Sequence, residues 1–263
     1  METEIIRSID NPQFKSLRKL ANSSRERRKK NQTLLDGVHL IQALAEHGLS
    51  PELLVIRDDS QDIDEIEQIL AKFIGIRHLY FSHGLFDEIS PVQSPLGILA
   101  LINIPVINRS HFQSAVLLEE IQDPGNLGSI IRTTAAAGFD AVFLSGGCAE
   151  AWSPKALRAG MGAQFDLAIY ENADLQQTAS QFDTVIATEL NGEDSLYDLR
   201  MKDSIAFIFG NEGAGLPESL LACATHRVSI PMPGGVESLN VGAAVAICLF
   251  EKVRQNTCLT RSE

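Results

Sequence analysis

Apolar runs of four to six residues alternate with amphipathic stretches along most of the chain. Phe14, Leu17 and Leu20 recur at helical spacing and predict a helix over 11–30, opened by Asn11-Pro12. A short strand and turn at 34–37 precede a helix over 38–47, which Gly48 ends. Strands at 53–56, 80–82 and 96–102 flank an amphipathic helix over 63–73. This β-α-β-α-β order predicts a small α/β layer domain that ends near Ile104. Residues 103–110 lack periodicity and hold Pro105, so the linker falls there.

Beyond it the alternation is clearer. Strands are predicted at 115–119, 141–144, 167–170, 184–188, 204–209 and 227–230. Helices are predicted at 128–137, 154–160, 175–181, 217–222 and 240–254. Short apolar strands set between helices imply a mainly parallel sheet covered on both faces. The fold class is therefore α/β, with residues 1–30 a basic helical arm, 31–104 a small domain and 111–263 a doubly wound one.

Three polar, glycine-rich segments stand where apolar runs end. They are Asp123-Pro-Gly-Asn-Leu-Gly-Ser-Ile-Ile-Arg132, Phe209-Gly-Asn-Glu-Gly-Ala-Gly-Leu-Pro217 and Ile230-Pro-Met-Pro-Gly-Gly-Val-Glu-Ser-Leu-Asn-Val-Gly242. In a parallel sheet, ligands bind beyond the carboxyl ends of the strands, so the three are expected to converge on one pocket. Neither a dinucleotide Gly-x-Gly-x-x-Gly nor a phosphate-binding Gly-x-x-x-x-Gly-Lys-Ser/Thr is present. The second segment carries Glu212 where a phosphate loop needs a cation, which suits a cationic or hydroxyl-bearing ligand.

Each polar residue also has a structural explanation. Arg132 could pair with Glu119 or Glu120, or face a phosphate or sugar. Asn126, Ser238 and Asn240 could cap helices. No metal-binding or acyl-transfer motif appears, and none of the six histidines has an obvious partner in sequence.

Composition sharpens one point. Net charge is −12 over 263 residues, yet residues 1–30 hold nine Lys/Arg against four acids. A basic arm on an acidic body can serve as an electrostatic footprint for nucleic acid, or can be a solvated helical face. Cys148, Cys223, Cys248 and Cys258 form no Cys-x-x-Cys pair and read as reduced thiols of a cytoplasmic protein. No apolar run reaches membrane-spanning length, and the N-terminus lacks a signal pattern.

The three segments, in order and spacing, resemble the motifs of the SpoU (TrmH) RNA 2′-O-ribose methyltransferases of the SPOUT superfamily. The matching residues are Asn126-Leu-Gly-Ser-Ile-Ile-Arg132, Gly210-Asn-Glu-Gly-Ala-Gly-Leu216 and Ile230-Pro-Met-Pro-Gly-Gly-Val-Glu-Ser-Leu-Asn240. Leu34-Leu-Asp-Gly-Val-His-Leu40 and Ser94-Pro-Leu-Gly-Ile-Leu-Ala100 resemble that family's substrate-binding domain. The resemblance implies a deep trefoil knot, S-adenosylmethionine as cofactor, an RNA substrate (ribosomal RNA ahead of transfer RNA) and a homodimer joined through the knot. It also implies that Thr188, Gly210, Asn211, Gly213, Ile230, Pro231, Met232 and Leu239 hold the cofactor. Arg132, Asn126, Glu212, Ser238 and Asn240 would then form the catalytic set, with no metal. Two alternatives stay open: an RNA-binding assembly factor without turnover, and a base-directed RNA methyltransferase.

Overall fold

The computed structural model describes residues 5–92, 94–107, 109, 111–201, 204–211 and 213–260. Two compact units emerge. The first comprises residues 1–105 and 152–165, the second 106–151 and 166–263.

In chain order, the first unit runs β1 (Ile5–Ile6), α1 (Pro12–Asn22), α2 (Ser24–Lys30), β2 (Gln32–Asp36) and α3 (Val38–Glu46). It continues with β3 (Leu53–Arg57), α4 (Asp64–Lys72), β4 (His78–Phe81), α5 (His83–Ile89) and β5 (Ile98–Asn103). The sheet order is β1-β4-β3-β5-β2, with β5 antiparallel to both neighbours. On β3, Leu53 and Val55 share a core with Phe14, Leu17 and Leu20 of α1 and with Phe81, Leu85 and Phe86. Leu54 and Ile56 point to the other face and are fully buried there, as the strand period of two requires.

The expected basic arm is thus no separate appendage. It is also two helices, because Ser23 adopts extended backbone and its hydroxyl caps α2 by accepting from the Glu26 N–H. Arg27 is buried, and its guanidinium donates to the carbonyls of Leu20 and Ala21 at the end of α1.

The second unit begins with β6 (Ser114–Leu118), α6 (Pro124–Ala136) and β7 (Ala141–Leu144). The chain then supplies α7 (Pro154–Gly160), which belongs to the first unit and packs beside β2. There the Thr33 hydroxyl donates to the Trp152 carbonyl at 2.7 Å. Sequence periodicity places a helix at 154–160 but says nothing of which unit it joins. The remaining elements are β8 (Ala168–Tyr170), α8 (Leu175–Ala179), β9 (Thr184–Thr188), β10 (Asp194–Ser195), β11 (Ile205–Phe209), α9 (Glu218–Leu221), β12 (His226–Ser229) and α10 (Val241–Thr260).

All seven strands of this unit are parallel, in the order β10-β12-β9-β11-β6-β7-β8. Phe209 pairs with Leu118 and Thr188 with Val228, so the carboxyl ends of β6, β11, β9 and β12 share one edge. Helix α10 packs on α6 and runs past its expected end at 254. Its last turns hold the 199–201 stretch: the Gln255 amide donates to the Leu199 carbonyl and accepts from the Met201 N–H.

Candidate functional site

At that shared edge the second unit contains a cavity of about 410 Å³, within the range of small-molecule sites. Its walls are the turn after β9, the loop after β11, the segment after β12 and the start of α10. Thr188, Gly210, Asn211, Gly213, Ile230, Met232, Ser238 and Leu239 all line it, whereas Pro231 does not. Glu212 lies outside the described residues.

The β11 loop owes its shape to Asn211. The side-chain amide of Asn211 donates to the Glu120 carbonyl at 3.0 Å. Its oxygen accepts from the backbone N–H groups of Gly213 (2.8 Å) and Ala214 (3.2 Å). The Gly215 N–H closes the turn on the Asn211 carbonyl. A β-carbon at Gly210 would collide with the Gly215 carbonyl, and Gly215 sits at φ +70°. Glycine is therefore required twice, once for close approach and once for left-handed backbone. The Asn211 side chain is committed to building the loop, and backbone groups are left to meet a ligand.

The first glycine-rich segment behaves differently from the expected convergence. None of its residues lines the cavity. It forms the start of α6, where the Asp123 carboxylate, and not Asn126, is the N-cap; that carboxylate accepts from the Asn126 N–H at 2.8 Å. Asn126 instead reaches the third segment, its oxygen accepting from the Asn240 amide at 3.1 Å. Asn240 also caps α10: its side-chain oxygen accepts from the Gly242 N–H at 2.9 Å, its carbonyl from Ala244. One hydrogen bond thus ties the first and third motifs together beside the cavity.

Arg132 is exposed on α6. Its side chain forms no ion pair with Glu119 or Glu120, nor any hydrogen bond, among the described residues. Ser238 is likewise exposed and uncommitted, on the cavity lining.

Sequence reasoning named only Thr188 from the β9 turn, yet Glu189, Leu190 and Asn191 line the cavity as well. The missed signal is of the same kind as the others: Glu189-Leu-Asn-Gly192 is a polar, glycine-ended turn directly after an apolar strand. None of the described residues that line the cavity is Lys, Arg or His. The cavity can therefore accept a neutral or cationic ligand whose flat and polar parts meet glycine backbone, and it is ill suited to a polyphosphate. No cysteine is among the described residues that line the cavity, and burial pushes the Cys248 thiol of α10 up to about 12. Among the described residues no cluster of side chains could hold a metal ion.

Comparison with known proteins agrees with this geometry. Residues 113–250 match the SpoU rRNA methylase family, and residues 11–100 match the MRM3-like substrate binding domain. The chain is 32% identical to the 23S rRNA (guanosine(2553)-2′-O)-methyltransferase of Bacillus subtilis, over 93% of this chain and 97% of that protein. It is 30% identical to a 23S rRNA (guanosine-2′-O-)-methyltransferase of Shewanella oneidensis, covering 86% and 98% respectively. An AdoMet-bound rRNA methyltransferase from Sinorhizobium meliloti superposes with a TM-score of 0.81 at 27% identity, covering 96% of this chain and 98% of that one. The chain belongs to the SpoU rRNA methylase family.

Proposed function

We infer that this chain is a cytoplasmic enzyme that methylates a ribose 2′-hydroxyl in ribosomal RNA, with S-adenosylmethionine as methyl donor. The observation that carries the reading is the cavity itself, walled by glycine backbone, with no basic side chain among the described lining residues, and set at the carboxyl edge of a parallel sheet. These residues fit the cofactor. Gly210 and Gly213 let backbone groups approach the adenosyl portion, Ile230, Met232 and Leu239 supply apolar walls, and the absence of lining cations suits a sulfonium.

The bound cofactor supplies an electrophilic methyl carbon with a neutral thioether as leaving group. The protein must place the ribose hydroxyl in line and stabilise the alkoxide that develops as its proton passes, by way of the adjacent RNA phosphate, to water. A guanidinium is a planar cation that matches phosphate oxygens, so Arg132 serves as an electrostatic clamp on the adjacent RNA phosphate and on the developing oxyanion. Ser238 borders the cavity and orients the ribose, while Asn126 and Asn240 hold the first and third motifs in register. The knotted threading implied by the resemblance belongs to the same reading. Its support is that α10, the last element, packs on α6 while Val241 and Ala244 line the cavity with the β11 loop.

Methyl-labelled S-adenosylmethionine, incubated with the protein and separated RNA fractions, tests the reading. Label should enter ribosomal RNA and be recovered as 2′-O-methyl nucleoside. Label recovered only in transfer RNA, only on bases, or nowhere would contradict it.

A further inference from the structure

Glu189 is the one ionisable residue among the described residues that line the cavity. It follows β9 directly, and its backbone is fixed because its N–H donates to the Val228 carbonyl of β12 at 3.0 Å. Three residues on, a β-carbon at Gly192 would collide with the Val228–Ser229 backbone, so the turn is pressed against β12. The residue is half-buried, and its carboxylate has no hydrogen-bond or ion-pair partner among the described residues. A carboxylate on a half-buried residue that lines a cavity, with no donor of its own, is expected to find one in the ligand.

We propose that Glu189 is a cofactor-positioning residue whose carboxylate accepts hydrogen bonds from the ribose hydroxyls of S-adenosylmethionine. The inference rests on the function proposed above. Two parts of the cofactor offer donors. The methionine end carries an ammonium, but beside it a carboxylate, which Glu189 would repel with no Lys, Arg or His among the described lining residues to offset it. The ribose presents two hydroxyl donors and no charge. An acidic residue at a strand end holding a nucleoside ribose is a recurrent solution in α/β sheets, and a carboxylate acceptor gives the stronger, charge-assisted bond.

The test is calorimetric binding of S-adenosylhomocysteine, 5′-methylthioadenosine and the 2′,3′-dideoxy analogue of methylthioadenosine. The proteins compared are the wild type, Glu189→Gln and Glu189→Ala, with thermal unfolding to show that both variants fold. Wild type should prefer methylthioadenosine over its dideoxy analogue by about tenfold or more, the scale of one hydrogen bond to a charged group. Glu189→Ala should lose a similar factor for methylthioadenosine and S-adenosylhomocysteine alike, and should no longer distinguish the dideoxy analogue. Glu189→Gln, which keeps an acceptor without the charge, should fall between. The proposal is overturned if the variants weaken S-adenosylhomocysteine but not methylthioadenosine, for the carboxylate would then face the methionine end. It is also overturned, alone, if wild type binds all the hydroxyl-bearing ligands and neither variant changes them. Wild-type protein that binds no adenosyl ligand would overturn this inference and the proposed function together.

Discussion

At the scale of single residues, the structure separates groups that wall the cavity from groups that stand beside it. Arg132 is of the second kind: exposed, on α6 and absent from the lining. Arg132→Ala is therefore expected to lower methyl transfer by about 10²–10³-fold or more, as for loss of an oxyanion-stabilising donor. Cofactor affinity should stay near wild type. Single-turnover transfer and equilibrium binding, measured together, check both halves, and wild-type turnover in this variant would remove Arg132 from the mechanism. Asn240 has a double duty, capping α10 and holding Asn126. Asn240→Ala should cost about 1 kcal/mol of stability, the usual worth of a cap, and should lower transfer as well. Urea unfolding gives the first quantity. A variant that unfolds earlier but transfers at the wild-type rate would reduce Asn240 to a cap.

At the scale of elements, the basic N-terminal segment changes most between sequence and structure. Its nine Lys/Arg suggest a free arm, but Phe14, Leu17 and Leu20 are core residues of the first unit. Removing residues 1–30 would expose that core, so loss of RNA binding by the truncation would say little about charge. Several cations are already committed: Lys15 pairs with Asp10, Arg18 with Glu88, and Lys30 donates to Ser16. Lys19, Arg25 and Lys29 are exposed with side chains unpaired among the described residues. If these three cations meet RNA phosphates, replacing all of them with Ala should reduce the slope of log affinity against log salt by about 2–3. Filter binding over a salt series measures it, and an unchanged slope would place the RNA elsewhere.

The same comparison shows what the sequence makes legible. Strands at 141–144 and 184–188 and the helix at 154–160 agree with expectation to the residue, because each is a short apolar or periodic run bounded by turn residues. The helix at His83–Ile89 and the two-residue strands β1 and β10 are not anticipated, being too short to establish a period. The cavity's glycine loops were visible as motifs. That the first motif would join through Asn126 to Asn240, and that the β9 turn would line the wall in its place, depends on strand order, which no local pattern encodes.

At the scale of the whole molecule, the resemblance to the SpoU family implies a second copy of the chain. Ala243 and Phe250 lie seven residues apart, two turns along one stripe of α10, and both are exposed, Phe250 by 47%. A homodimer joined through α10, of the kind the resemblance implies, would cover this stripe. Phe250→Asp should then sediment as a monomer under conditions where wild type is a dimer, and equal sedimentation of the two would move the interface off α10.

The central claim is that the methyl group goes to a ribose oxygen. Once the modified nucleotide is located by comparing 2′-O-methyl maps of ribosomal RNA from cells with and without this gene, the decisive substrate is a fragment with a single 2′-deoxy position at that nucleotide. The account predicts that transfer to this fragment vanishes while its binding persists. Undiminished transfer to it would show that the base, and not the ribose, receives the methyl group.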